Sequence, residues 1–105
     1  MHTLIREHAD EIADLCRRYG VRRLEVFGSA ARGDDFDLDS SDADFLVSFE
    51  PRPELPPLKQ YLGFADALER VLGRPVDLLD RGSLEKSRNY LRRRSILEDA
   101  QPVYG

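Results

Sequence analysis

Tryptophan is absent from this chain, and cysteine and methionine occur once each. A lone Cys16 cannot build a disulfide framework, so packing must hold the fold, and a reducing, cytosolic setting is expected. No apolar run approaches the roughly 18 residues that cross a bilayer, which excludes a membrane-spanning helix. The opening MHTLIREHADE is polar and mixed in charge, unlike a secretory signal. An excess of basic residues is lacking too: 16 Lys and Arg face 20 Asp and Glu, a net charge of −4. That balance argues against direct nucleic-acid binding.

What is present is enough for one domain spanning residues 1–105, because 41% of the residues are hydrophobic and can build one thin core. Charge is segregated along the chain. Asp34 to Glu54 holds eight acidic residues and one basic, whereas Arg81 to Arg94 holds six basic and one acidic. Such blocks are ordinarily solvated surface. The acidic block, however, leads directly into an apolar strand, and that placement calls for a chemical reason.

Apolar spacing at Ile5, Ile12, Leu15, Cys16 and Tyr19 predicts one helix from Thr3 to Tyr19, closed by Gly20. A strand is expected over Arg22–Phe27, then a break at Gly28-Ser29 and a helical turn at Ala30-Ala31-Arg32. Asp42–Phe49 reads as a second strand, followed by an extended connector carrying Pro51, Pro53, Pro56 and Pro57. Leu58, Leu62, Ala65, Leu68 and Leu72 predict the inner face of a long helix ending at Gly73. Val76–Leu79 gives a third strand, Ser83 a helical turn, and Tyr90–Ala100 a last helix. The expected fold class is therefore α/β (α+β), a small mixed sheet of about three strands flanked by helices.

Three features carry chemistry. A Gly28-Ser29 turn after a strand, opening a helical turn, presents free backbone N–H groups to phosphate oxygens. It lacks the Gly-Lys-Ser/Thr ending of a Walker A loop. Next, alternation along a strand puts Asp42 and Asp44 on one face, where two carboxylates repel unless a cation sits between them. Mg²⁺ commonly takes one or two carboxylates plus substrate phosphates. Third, Asp77 stands inside the apolar run Val76-Asp77-Leu78-Leu79, where an acid is costly without a partner or metal. It supplies the third carboxylate of a two-metal site. Each feature alone has a plain alternative: a simple turn, solvated loop acids, a strand-edge acid facing water.

Together, Gly28-Ser29…Arg32-Gly33…Ser41-Asp42-Ala43-Asp44…Asp77 resembles the polymerase-β-type nucleotidyltransferase superfamily. More narrowly, the chain is similar to the minimal nucleotidyltransferases (MNT), the antitoxins of HEPN/MNT toxin–antitoxin pairs. The likeness runs through the tail, Ile96-Leu97-Glu98-Asp99-Ala100…Val103-Tyr104, but the acid-rich Asp34–Ser40 connector is longer than the usual one. The resemblance implies that Gly28 and Ser29 hold the triphosphate of ATP. It implies that Asp42, Asp44 and Asp77 bind Mg²⁺, two ions in all, with Asp77 also helping to deprotonate the acceptor. Arg32 would neutralise phosphate charge or pair with local acids. The implied reaction moves AMP from ATP onto a hydroxyl of a partner HEPN ribonuclease toxin, a tyrosine near its active site, and releases pyrophosphate. An antitoxin acting by occlusion alone, and an RNA-binding protein using the Arg81–Arg94 face, are the competing readings.

Other features carry less. Asp35-Phe36-Asp37-Leu38-Asp39 begins like a calcium loop but has Ser40 and Leu46 where Gly and Glu belong. His2 and His8 have no zinc-ligand spacing, and Cys16 reads as a core residue.

Overall fold

A computed structural model describes residues 2–32 and 42–105. The Asp34–Ser41 connector, Gly33 and the rejected calcium-loop motif lie outside the described residues.

The leading segment is two helices, α1 (Thr3–Glu7) and α2 (Ala9–Tyr19), rather than one. The break falls at His8, whose ring Nδ1 lies 2.9 Å from the Leu4 carbonyl oxygen, while His2 Nδ1 accepts the Leu4 N–H at 3.0 Å. The two histidines are thus bound to helix backbone at α1. Strand β1 (Val21–Phe27) follows, then the turn α3 (Ser29–Arg32), β2 (Ala43–Phe49), α4 (Pro57–Leu72), β3 (Val76–Asp80), α5 (Arg81–Glu85), α6 (Tyr90–Asp99) and β4 (Gln101–Tyr104). Helices α2 and α4 end at Gly20 and Gly73 in left-handed caps, as expected from the sequence.

Among the described residues the sheet has four strands, ordered β3-β2-β1-β4, one more than expected. β1 pairs antiparallel with both β2 and β4, and β2 pairs parallel with β3 through the α4 crossover. β4 escapes a sequence reading because it is four residues long and contains Pro102, which only an edge strand or a bulge tolerates. Both conditions hold here: β4 is an edge, and the register shifts opposite Leu24 and Glu25.

Strand alternation sorts the core into two layers. Leu24, Val26, Phe45, Val47 and Leu78 meet Ile12, Cys16, Phe64 and Leu68 on the α2/α4 face. Phe27 and Leu46 meet Leu84 and Ile96 on the α5/α6 face. Cys16 is fully buried, and burial pushes its thiol up to about 12, so it packs as an apolar residue.

Helix α4 is turned relative to expectation. Its buried row is Gln60, Phe64, Leu68 and Leu72, while Leu58 and Leu62 face outward at 69% and 56% exposure. The reason lies in Gln60, whose amide donates to the carbonyls of Tyr19 and Glu50 at 2.7 and 2.9 Å. A buried polar side chain satisfied in this way costs little, and it fixes the rotation of the helix. Among the described residues, no helix is long and apolar enough to cross a membrane.

Candidate active site

β1 delivers its chain end to β2 so that Phe27 pairs with Asp44, and β3 lies alongside so that Asp44 pairs with Asp77. Residues paired in register across adjacent strands project to the same face, with strand axes about 4.8 Å apart. Asp44 and Asp77 are therefore neighbours on the α5/α6 face, at the edge where β2 and β3 begin. Asp42 stands one residue before β2 and is exposed; Asp44 is half-buried and Asp77 exposed on the edge strand.

Crowding of like charge is visible in the chemistry. Burial first, then the Asp77 and Asp42 carboxylates, pushes the Asp44 carboxyl up to about 6 from an ordinary 3.8. Asp42 and Asp77 thus both bear on the Asp44 carboxyl. Among the described residues, no three His, Cys, Asp or Glu side chains close into a ready-made metal cage. The donors are hard oxygens, too few and too open for a calcium cage, and they fit a cation that completes its shell with substrate phosphate oxygens and water.

Gly28 explains how a turn gets this close. Its φ is +70°, and a Cβ built there would stand 2.7 Å from Asp44 Oδ2. Only glycine takes that conformation freely while leaving the carboxylate in place. Its carbonyl accepts from Ala31 and Arg32 N–H groups at 3.1 and 3.2 Å, opening α3. Ser29 is the first residue of that turn, half-exposed. Arg32 reaches from the turn to α6, where its Nη1 meets Asp99 Oδ2 at 2.6 Å.

The geometry changes what a bulky residue at position 28 does. A role in phosphate binding alone would make Gly28→Val cost nucleotide affinity rather than stability. With φ at +70° and Asp44 in the way, valine strains the fold as well, by about 1–3 kcal/mol. Chemical denaturation of Gly28→Val is expected to show that loss; an unchanged midpoint would mean that the turn relaxes freely.

A second prediction concerns pH. A folded-state carboxyl raised to about 6 keeps its proton where the unfolded chain, near 3.8, has lost it. The metal-free protein therefore loses stability as pH rises from about 4 to about 6, and the penalty is complete above that window. Asp44→Asn should raise the melting temperature above the window and leave it nearly unchanged below pH 3.8. Because Asp44 is half-exposed, solvent screening holds the effect to about 1 kcal/mol or less. Equal melting of both proteins above the window would show that neither burial nor the neighbouring acids penalise the Asp44 charge.

Several residues near the site carried no sequence signal. Tyr61 of α4 donates its hydroxyl to the Leu78 carbonyl. Burial, then Asp77 and Asp80, holds its phenol protonated above the ordinary range. Asp80 caps α5 by accepting from Ser83 N at 2.9 Å. Glu25, only 4% exposed on β1, pairs with Arg81 at the start of α5 and ties that turn to the sheet. Arg81 and Glu25 are 56 residues apart, so periodicity could not join them.

The sequence profile of the nucleotidyltransferase domain family fits residues 9–103. The chain belongs to that family. Over 85 residues it is 36% identical to the protein adenylyltransferase MntA of Thermococcus cleftensis, covering 81% of this chain and 78% of that one. A solved structure assigned as a minimal nucleotidyltransferase is 34% identical and superposes with a TM-score of 0.71 over 97% of this chain and 96% of the other. A third likeness, at 18% identity and a TM-score of 0.60, is to a complex of a tri-AMPylated HEPN toxin with an MNT antitoxin from Shewanella oneidensis. It covers 96% of this chain and 72% of that one, and it bears on the fold alone. The nucleotidyltransferase fold expected from sequence is thereby shown, and the chain is an enzyme of the nucleotidyl-transferring class.

Proposed function

We propose that this nucleotidyltransferase moves AMP from ATP onto a tyrosine hydroxyl of a HEPN-domain toxin and thereby acts as its antitoxin. The observation that carries the reading is the Asp44 carboxyl, crowded by Asp42 and Asp77 and pressed against Gly28. Clustered acids that weaken the metal-free fold have a purpose in cation and phosphate chemistry. They have none in an antitoxin that works by occlusion. The relative from Thermococcus cleftensis, named a protein adenylyltransferase, supports AMP as the transferred group and a protein as the acceptor.

In this reading Asp42, Asp44 and Asp77 would hold two Mg²⁺ ions, which when bound would neutralise phosphate charge and stabilise both the attacking and the leaving oxygen. The chain's own groups do the rest. Gly28 and Ser29 bind the triphosphate through backbone N–H groups, unobstructed because position 28 has no side chain. Asp77, exposed on the edge strand, takes the proton of the acceptor hydroxyl. The acceptor oxygen then bonds to the α-phosphorus as the bond to the bridging oxygen breaks, and pyrophosphate leaves with that electron pair. Arg32, paired with Asp99, steadies α3 against α6 and is close in sequence to the phosphate turn, so it positions Ser29.

The test uses ATP labelled at the α-phosphate and, in parallel, at the γ-phosphate, with a purified HEPN-domain protein as the acceptor. The α-label is expected in the partner and the γ-label in pyrophosphate. Label from γ in the partner would mean phosphoryl transfer and would sink the reading; no label from either would favour binding alone.

A further inference from the structure

A cavity of about 180 Å³ lies between β3 and α5, lined by Leu79, Asp80, Ser83, Leu84, Ser87 and Arg92. One lining residue, Leu79, is two residues beyond Asp77 and so on the same face of β3, about 6.6 Å along the strand. We propose that this cavity seats the aromatic ring of the acceptor residue, and that it makes the enzyme select tyrosine over serine or threonine. The inference rests on the transfer to a protein hydroxyl proposed above, and adds the residues that choose the acceptor.

Three observations carry it. The first is position. The phosphate turn stands at the end of β1, whereas Asp77 and the cavity share β3, the opposite edge of the site. An acceptor arriving over β3 reaches Asp77 without crossing the nucleotide. The second is size. A dry cavity of about 150 Å³ holds one benzene ring, so 180 Å³ suits a phenol, whereas the side chain of serine leaves most of it empty. Leu79 and Leu84 give the ring apolar contact, and both belong to the core layer under α5.

The third observation is Arg92 at the rim. Its neighbours are committed: Arg93 stacks over the Tyr90 ring and donates to the Glu85 and Ser87 carbonyls, and Arg94 pairs with Glu98. Among the described residues, the Arg92 side chain has no such partner, and it is exposed. A free guanidinium beside a ring-sized cavity is placed to cover the face of an aromatic ring.

The test uses the full chain with labelled leucine methyls and N-acetyl-tyrosinamide as probe at millimolar concentration, with N-acetyl-serinamide as control. Saturable shifts of the Leu79 and Leu84 methyls with the tyrosine probe alone are expected. Arg92→Ala should weaken the probe about two- to fivefold. Ser83→Leu, which fills the cavity, should abolish the shifts with ATP·Mg²⁺ affinity unchanged; should it fail to fold, Arg92→Ala still decides. Unmoved methyls, equal shifts with serinamide, or displacement of the probe by ATP would each overturn the assignment. The probe binds or fails to bind independently of AMP transfer, so failure of the transfer assay is told apart from failure here.

Discussion

Asp44→Asn is expected to reduce AMP transfer at least a thousandfold while the protein stays folded. Asp44 is the half-buried member of the acid cluster, paired in register with Asp77 and in contact range of Gly28. In the proposed mechanism, removing its charge takes away an oxygen ligand of Mg²⁺ and several kcal/mol of charge stabilisation at the transferring phosphate, about tenfold per 1.4 kcal/mol. The same substitution relieves like-charge crowding, so the melting temperature should hold or rise. Transfer rates and thermal melts on one preparation separate the two effects. A folded Asp44→Asn protein with near wild-type transfer would remove the acids from the mechanism.

Asp77→Asn is expected to act differently, because Asp77 is exposed on the edge strand and in the proposed mechanism takes the acceptor's proton. Asn keeps the shape but takes no proton. Single-turnover transfer should fall by about 10²–10⁴-fold, with the affinity for ATP·Mg²⁺ changed far less. A surface acid without a catalytic role would move stability by less than about 0.5 kcal/mol and leave the rate alone. A loss below tenfold in single turnover would assign Asp77 to the surface.

Much of this was legible in the residues themselves. Glycine after a strand, acids at alternate positions entering β2, and an acid inside β3 each break a local rule of composition, and such breaks gather where chemistry happens. What sequence could not give was register. Asp44 and Asp77 are far apart along the chain, and only the parallel pairing of β2 with β3 makes them neighbours. Nor could periodicity orient α4, since Leu58 and Leu62 fit the apolar row as well as Gln60 and Phe64 do. The choice was made by two backbone carbonyls that bind the Gln60 amide. β4 was hidden by its proline, and the split of the first helix by a histidine ring bonded to helix backbone.

The exposed apolar side chains mark where further burial remains possible. Leu58 and Leu62 on α4, and Tyr90 and Leu91 at the start of α6, stand more than half exposed on a chain whose core is thin. The two pairs sit on opposite faces of the sheet.

The most direct measurement of the central claim is the intact mass of the HEPN partner after incubation with this chain, ATP and Mg²⁺. The wild-type chain is expected to increase that mass by whole AMP units. The Asp42→Asn, Asp44→Asn double variant, folded and still bound to the partner, is expected to leave it unchanged. An unmodified partner with the wild-type chain, or the same mass increase with the double variant, would contradict the account.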